Sequence, residues 1–515
     1  MTLFFSRYLL RMGAACLLLG TLANAQAQVT SAPATDTVQA LAAAINAQIG
    51  EPRFASASWG IAVQSLDTGR NLYVHDADRL LQPASTAKLY TAALVLSALG
   101  TDYRIPTQLL ASGPIVQGRL QGPLVLRGMG DPTLGTPGTN MDWPDQLAAQ
   151  LAATGVHDVQ GDLIADDSYF QGPPTGSGWE ARDLQNGFAV PASALSVQEN
   201  TVELTVRPGQ ATGYPAALMF DPPGALTRVV NTLATSAQDT QSNINLYRAP
   251  GDTTLYAFGS VPARASPQTF KLAIVDPAWY AGVRLREALA RHGVRFHGAL
   301  RVRHWPMQTG TDFARAVVVA QVLSPPLMEI LSRGLKRSQN LYLQNLLQIA
   351  GVKAQADAER ADGAAPGFLS SEAWGIRALR ALLDHIGVAP GAAQIEDGAG
   401  LSRQDLSTPE AMVHLLSYLA SQPYGEQLRD ALPAAGVDGT LEWRMRHTSA
   451  ADNVHAKTGS MTNVRCLAGY VTTAAGEHLA FAIMLNNYVR GDDEPSPSSN
   501  LDAIVELLAA FHGRS

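Results

Sequence analysis

In Ser85-Thr86-Ala87-Lys88 a hydroxyl and an amine stand one helical turn apart, a spacing that puts both on one face of a helix. A serine hydroxyl is a weak nucleophile until a base takes its proton, and a neutral lysine can be that base without a histidine. The pair predicts acyl transfer through an acyl-serine. Ser-x-x-Lys fixes only two positions and arises about once by chance in a chain of this length, so its weight comes from two companion motifs. Ser338-Gln339-Asn340 and then Lys457-Thr458-Gly459 lie further along the chain. Ser338 can relay a proton between Lys88 and a leaving amine, and the Asn340 carboxamide can hold a substrate amide and orient Lys88. The Ser-x-Asn spacing places both on one side of an extended loop. Lys457 and Thr458, near the end of a strand, can grip a terminal carboxylate, while Gly459 lets a substrate backbone come close. The N–H groups of Ser85 and Ser460 can then form an oxyanion hole.

The chain has five lysines, Lys88, Lys271, Lys336, Lys353 and Lys457, and otherwise uses arginine for positive charge. Two of the five fall in these motifs, and lysine is the cation that can readily lose its proton. Burial by helix packing and the charge of Lys457 across the site are both expected to lower the Lys88 pKa, as a general base requires. A second Ser-x-Asn, Ser498-Ser499-Asn500, comes after the lysine motif in a proline- and serine-rich stretch and reads as a structural loop. Other hydrolytic chemistries lack their residues. The 11 histidines form no His-Glu-x-x-His or comparable His/Cys cluster, so neither a metal nor another cofactor is expected. His447 and His455 flank a loop and read as surface or packing residues. No Gly-x-Ser-x-Gly marks an ordinary esterase.

These side chains need a scaffold to meet. Residues 58–65 and 71–75 read as strands joined by Leu66-Asp67-Thr68-Gly69-Arg70, a hairpin connection. Pro83 closes the next loop, and Leu89, Ala92, Ala93, Leu96 and Leu99 mark a helix stopped at Gly100. Ser85 thus falls at a helix N-terminus, where free N–H groups favour developing negative charge. Towards the other end, 454–457, 464–471 and 479–486 read as strands and 501–511 as a helix, so the two ends look like halves of one antiparallel sheet. Between them, 253 residues separate Ser85 from Ser338, against 117 from Asn340 to Lys457. One or more domains are therefore inserted after the first helix. Within the insertion, Leu147 to Leu151 leads through Gly155-Val156 to Gly161-Asp162-Leu163, and Leu285 to Leu289 leads through Gly293-Val294 to Gly298-Ala299-Leu300. This is either a weak repeat or common α/β grammar. Residues 207–267, rich in Thr, Ser, Ala and Pro, are expected to form a smaller nested domain.

A chain of 515 residues with 46% apolar composition exceeds one compact core, so two or three domains are expected. Arg7 and Arg11 precede an apolar run over 12–22, and Ala23-Asn24-Ala25 is a small-x-small cleavage pattern, with Ala25-Gln26-Ala27 as a second. Residues 1–25 are expected to be an export signal and Gln26 the mature start. The run is too short for a comfortable span and no later stretch is long enough, which predicts a soluble periplasmic protein without an integral membrane anchor. Cys16 sits behind a poor lipobox. Cys466 is then the sole cysteine, so no internal disulfide forms, and it reads as a buried structural thiol. Without the two leader arginines the formal charge falls from −7 to −9, which disfavours nucleic acid or an anionic membrane as partner.

In this order the three motifs are those of the penicillin-recognising serine enzymes. The chain resembles the penicillin-binding protein 4 family of D-alanyl-D-alanine carboxypeptidases and endopeptidases, the low-molecular-mass class with a large insertion between the first two motifs. The resemblance covers nearly the whole mature chain. It includes Gly130-Asp131-Pro132-Thr133-Leu134, Asp166-Asp167-Ser168-Tyr169-Phe170, Asn200-Thr201-Val202, Asp397-Gly398-Ala399-Gly400-Leu401-Ser402-Arg403 and Ala435-Gly436-Val437-Asp438-Gly439-Thr440-Leu441. Ala399 stands where the family more often has serine. The resemblance implies an α/β (α+β) fold in which a serine β-lactamase/transpeptidase-like domain, antiparallel sheet and helices, is split into 26–100 and 326–515 by an inserted region over 101–325. It implies attack of Ser85 on the D-Ala-D-Ala carbonyl, loss of D-alanine and hydrolysis of the acyl-enzyme. Peptidoglycan stem peptides and cross-links would be the substrates and β-lactams covalent inhibitors. Residues matching Arg403, Asp166 and Met461 would bind the peptide side chain, with Asp166 reaching in from the insertion. By residue type alone, Arg403 and Asp166 are ordinary surface or ion-paired groups. A β-lactamase shares the motif chemistry, but the long first gap argues against its compact core. A non-catalytic cell-wall-binding protein would have no need of Ser85, Lys88, Ser338 and Lys457.

Overall fold

The computed structural model describes residues 36–224, 228–307, 316–362, 367–491 and 493–515, so the leader expected over 1–25, with Cys16, lies outside the described residues. The hairpin Ser58–Ser65 and Asn71–His75 joins the C-terminal strands in one antiparallel sheet, ordered Asn71–His75, Ser58–Ser65, His478–Asn486, Val464–Thr472, His455–Met461. The central strand His478–Asn486 is buried along all but its first residue, because the sheet is covered on both faces. Its side chains sort by the two-residue period of a strand. Phe481, Ile483 and Leu485 pack with Leu41 and Ile45 of the Val38–Ile49 helix and with Ile504 and Leu508 of the Ser498–Ala509 helix. Ala480, Ala482 and Met484 face Met412 and Leu416 of the Pro409–Ala420 helix. Each fully buried large side chain here contributes about 1.5–3 kcal/mol.

The Lys88–Leu99 helix ends at Gly100, whose φ is 79°. Every residue from Lys88 to Leu96 is buried, the pattern of a helix enclosed on all sides. It packs against the long Asn340–Asp362 helix, and Leu89, Ala93, Leu343 and Leu347 share one apolar cluster.

The region between these elements builds its own sheets. Leu300–Arg303, Leu163–Asp166, Leu124–Arg127, Pro106–Ala111 and Val317–Leu323 form a five-stranded sheet in that order, the first two pairings parallel and the last two antiparallel. A smaller sheet runs Arg295–Phe296, Asp158–Val159, Arg119–Leu120, Ile115–Val116. The two similar passages seen in the sequence are one structural unit used twice. The Trp143–Ala153 helix, Gly155 at φ 84° and the strands Asp158–Val159 and Leu163–Asp166 match the Pro277–Arg291 helix, Gly293 at φ 75° and the strands Arg295–Phe296 and Leu300–Arg303. The copies lie side by side, with Arg295 opposite Asp158 and Leu300 opposite Leu163 in parallel register.

The segment expected as a nested domain over 207–267 closes on strands just outside those bounds. Thr201–Arg207 pairs with both Ala217–Asp221 and Gln268–Ala273, while Thr254–Pro262 pairs with Arg228–Asn231, Ala234–Ser236 and Asn243–Tyr247. Val202, Leu204, Leu255 and Val261 belong to the same apolar cluster as Leu126, Leu163 and Leu285, so the segment shares the core of the surrounding sheets.

Where the repeated units meet, Gly122, Gly161 and Gly298 stack backbone on backbone. A Cβ on Gly298 would lie 2.2 Å from the Gly161 carbonyl oxygen and 2.7 Å from Asp162 Cα. Backbone cannot yield as a side-chain tip can, so Gly298→Ala is expected to lower the unfolding free energy by about 1–3 kcal/mol, read from denaturant unfolding of the purified variant.

Candidate active site

Pro83 leads into a single 3₁₀ turn, Ala84–Ala87, which runs directly into the Lys88–Leu99 helix. Ala84 takes a left-handed φ of 46°, and the Thr86 hydroxyl ties the turn by donating to the Pro83 carbonyl at 2.7 Å. Ser85 is therefore half-exposed at the mouth of a buried helix, and Lys88, its first residue, is fully buried. Lys88 Nζ lies 2.7 Å from Ser85 Oγ, and it donates to Asn340 Oδ1 at 2.6 Å and to the Ala399 carbonyl. Three neighbours match the three hydrogens of an ammonium. When the amine is neutral, its lone pair can point at Ser85 Oγ and accept that proton.

Ser338 and Asn340 do share one side of the chain, but not on an extended loop. The Leu327–Lys336 helix stops, Ser338 turns left-handed at φ 54°, and the Asn340–Asp362 helix begins. The Gln339 N–H closes the first helix on the Gly334 carbonyl at 2.8 Å, a helix-ending bond that needs a left-handed residue. Asn340 Nδ2 donates to the Phe188 carbonyl at 2.7 Å. Gln339 Nε2 donates to Glu199 at 2.8 Å, as does Arg337. Both Phe188 and Glu199 come from the inserted region, which thus braces the second motif.

The strand carrying the third motif runs past it, over His455–Met461, at the edge of the five-stranded sheet. Lys457 is fully buried, and its Nζ donates to Ser338 Oγ and to the Thr458 carbonyl, both at 2.8 Å. The Thr458 and Thr440 hydroxyls are 2.8 Å apart. Gly459 is set against the nucleophile turn, where an added Cβ would meet the Pro83 carbonyl oxygen at 2.7 Å and Ala84 Cβ at 3.3 Å. Ser460 is exposed, opposite Arg465 in the ladder. Met461 is half-buried against the apolar cluster beneath.

Burial pushes Lys88 down to about 7, against the opposing pull of Asp397 and Asp405. The expected influence of Lys457 runs the other way: Lys457 is held well below the ordinary lysine range by burial and then by the charge of Lys88. Two ammonium groups in one dry site repel, so the two lysines resist being charged together.

Arg403 Nε meets Glu180 Oε1 at 3.2 Å and its NH1 donates to the Thr462 carbonyl at 3.1 Å, which draws it towards Met461. Asp166 is not at this place. It ends the Leu163–Asp166 strand, almost fully buried, and accepts hydrogen bonds from the Ser168 N–H and hydroxyl at 3.1 and 2.6 Å. The acid from the insertion that meets Arg403 is Glu180. Its neighbour Trp179 donates its indole N–H to Asp397, and the Gly178-Trp179-Glu180 run is the signal that could have been read. Ser498-Ser499-Asn500 begins a helix, and buried Asn500 is held by Arg53, Glu51 and Gln48. Cys466 is buried in the strand beside the edge strand, opposite Gly459, its thiol near the Gln82 carbonyl at 3.4 Å.

Gly459→Ala pushes directly on the Pro83-Ala84 turn that presents Ser85. A displacement of about 1 Å costs on the order of 100-fold in a positioned reaction. The variant is expected to react with a reporter β-lactam at least that much more slowly, measured by stopped-flow, while far-ultraviolet circular dichroism stays unchanged.

The model of the D-Ala-D-Ala carboxypeptidase 3 (S13) family matches residues 41–511. The D-alanyl-D-alanine carboxypeptidase of Actinomadura sp. (strain R39) is 34% identical over 481 residues, covering 91% of this chain and 84% of that protein. D-alanyl-D-alanine carboxypeptidase DacB of Haemophilus influenzae is 28% identical over 442 residues, 84% of this chain and 86% of its own. The crystal structure of penicillin binding protein 4 (dacB) from Haemophilus influenzae superposes with a TM-score of 0.75 at 25% identity, covering 92% of this chain and 98% of that one. That likeness shows the expected α/β transpeptidase-like fold, and with a family model spanning most of the sequence the chain belongs to the D-Ala-D-Ala carboxypeptidase 3 (S13) family of serine peptidases.

Proposed function

We propose that this protein is a serine-type D-Ala-D-Ala carboxypeptidase and a peptidoglycan DD-endopeptidase, exported to the periplasm and acylated by β-lactams. The observation that carries the reading is Lys88 Nζ, fully buried, 2.7 Å from Ser85 Oγ and oriented by Asn340. Ser85 Oγ attacks the penultimate D-alanine carbonyl as Lys88 takes its proton. The tetrahedral oxyanion sits at the start of the Lys88–Leu99 helix, where Ser85 N–H and the edge-strand N–H of Ser460 face it. Collapse expels D-alanine, whose amine receives a proton through Ser338, the hydroxyl bonded to Lys457. Water then cleaves the acyl-serine. Lys457 and Thr458 hold the substrate carboxylate, whose negative charge favours the ammonium form of Lys457. Arg403, Met461 and, in place of the expected Asp166, Glu180 border the region for the peptide side chain.

Residues 26–100 and 326–515 form the catalytic part in this reading, and the region 101–325 is the insertion that narrows access to it. Among the described residues no helix is long and apolar enough to cross a membrane. Export rests on the leader pattern of residues 1–25.

Incubation with penicillin is expected to add one drug mass to the wild type and none to Ser85→Ala by intact-mass measurement; an equal adduct on the variant removes the serine mechanism, and rapid complete hydrolysis of the drug makes the protein a β-lactamase. With purified muropeptides, wild type is expected to release D-alanine from monomers and to split cross-linked dimers, and neither product would overturn the enzyme reading. Below about pH 7 Lys88 becomes an ammonium and cannot accept the Ser85 proton. The acylation rate constant is therefore expected to fall about tenfold per pH unit on that side and to level off above it, as read from a pH profile of kcat/KM.

A further inference from the structure

Behind Lys88 lies a turn built around one carboxylate. Asp397 is fully buried. Its Oδ1 accepts the N–H groups of Ala399 and Gly400 at 3.2 and 2.6 Å, and its Oδ2 accepts those of Leu401 and Ser402 at 3.1 and 3.3 Å, together with the Trp179 indole. Wrapped this way, the turn aims the Ala399 carbonyl at Lys88 Nζ and the Gly398 carbonyl at the Thr91 hydroxyl, 2.9 Å away. Gly400, at φ 71°, lies so close to the nucleophile turn that a Cβ there would be 2.1 Å from the Ala84 carbonyl oxygen. Asp397 therefore governs where both Ser85 and Lys88 sit.

Asp405 is fully buried beside it. Its Oδ1 accepts the Glu396 N–H at 2.7 Å and the Asp397 backbone N–H also favours its ionised form, but Oδ2 has no hydrogen-bond partner and the Asp397 carboxyl is its side-chain neighbour. A dry carboxylate oxygen with no donor facing a second carboxylate is strongly unfavourable, and one proton between them removes the conflict. We propose that Asp405 is a positioning residue that keeps this proton on Oδ2 and donates it to Asp397, so that the pair presents a single negative charge to Lys88. Burial and the Asp397 charge push Asp405 well above the ordinary carboxyl range. The charged groups around the pair are Lys88 from its helix, Lys457 beyond it on the edge strand, Glu396 in the turn itself and Glu372 from the Ser371–His385 helix. Glu372 is pushed up to about 7 by burial and bonded to Gln344, whose carbonyl accepts the Gly398 N–H. Two negative charges beside Lys88 would favour its ammonium form more strongly than one and make it a poorer base. One orients it and leaves it free to titrate.

This rests on the reading of Lys88 as the base, and the experiment separates the two. With only five lysines in the chain, each ¹⁵Nζ resonance can be titrated individually, and Lys88→Arg identifies that of Lys88. Asp405→Asn is expected to leave the Lys88 midpoint where it is, because it replaces a neutral donor by another. Asp397→Asn removes the charge and is expected to lower the midpoint by about one pH unit or more. A fall in Asp405→Asn as large as that in Asp397→Asn overturns the proposal. Should Asp397→Asn not fold, the infrared difference between wild type and Asp405→Asn decides alone: a protonated carboxyl stretch lost in the variant supports the shared proton, and its absence refutes it. If the acid limb of wild-type acylation fails to follow the Lys88 titration, the base reading falls while the pair stands.

Discussion

Two lysines held out of water, each against a serine, are the constraint on which this structure depends. A buried ammonium is costly unless its hydrogens are all met and its charge is compensated. Lys88 meets Ser85, Asn340 and the Ala399 carbonyl, and Lys457 meets Ser338 and the Thr458 carbonyl. The second motif thus completes the lysines of the other two, Asn340 for Lys88 and Ser338 for Lys457, so the first and third motifs depend on it. Such bonds hold only if their elements cannot drift. The Lys88–Leu99 helix is enclosed on all sides, and the sheet beside it is covered on both faces. That packing both dries the amines and fixes their distances.

The region between the first two motifs packs most of its apolar side chains in a cluster of its own and meets the site with a few hydrogen-bonding residues. That cluster runs from Leu109 to Val322, while Ile105, Phe170 and Ala194 join the one beneath the nucleophile helix. The region's hydrogen bonds towards the site are those of the Phe188 carbonyl to Asn340, Glu199 to Gln339 and Arg337, Trp179 to Asp397, and Glu180 to Arg403. The bonds from this body brace Asn340 and Asp397, and through them the position of Lys88. The repeated helix–strand unit and its glycine stack give that body its rigidity.

Local signals marked most of the framework. The hairpin strands, the helix stopped by Gly100 and the outer strands of the sheet arise from side-chain period and turn residues, and the structure has them at nearly the expected bounds. The edge strand was harder. Thr458-Gly459-Ser460 looks like a strand end, yet pairing with Val464–Thr472 carries it through to Met461, because cross-strand packing outweighs a weak local preference. Ser338 offers no sign of its left-handed turn, which is set by the meeting of two helices. Asp166 sits in an acidic run that resembles a binding element, but its carboxylate closes its own turn, and the ion pair with Arg403 falls to Glu180, 223 residues away in sequence.

By itself, the sequence determined which chemistry is available: a serine and a lysine at helical spacing, two later motifs in a fixed order, scarce lysines, and a gap long enough to hold an inserted region. Only the tertiary structure decided how that chemistry is tuned. Whether Lys88 is a base depends on its removal from water and on the carboxyl pair Asp397 and Asp405, which approaches it from more than 300 residues along the chain. Desolvation and electrostatic pairing are set by what surrounds a group in space, and no local pattern records that.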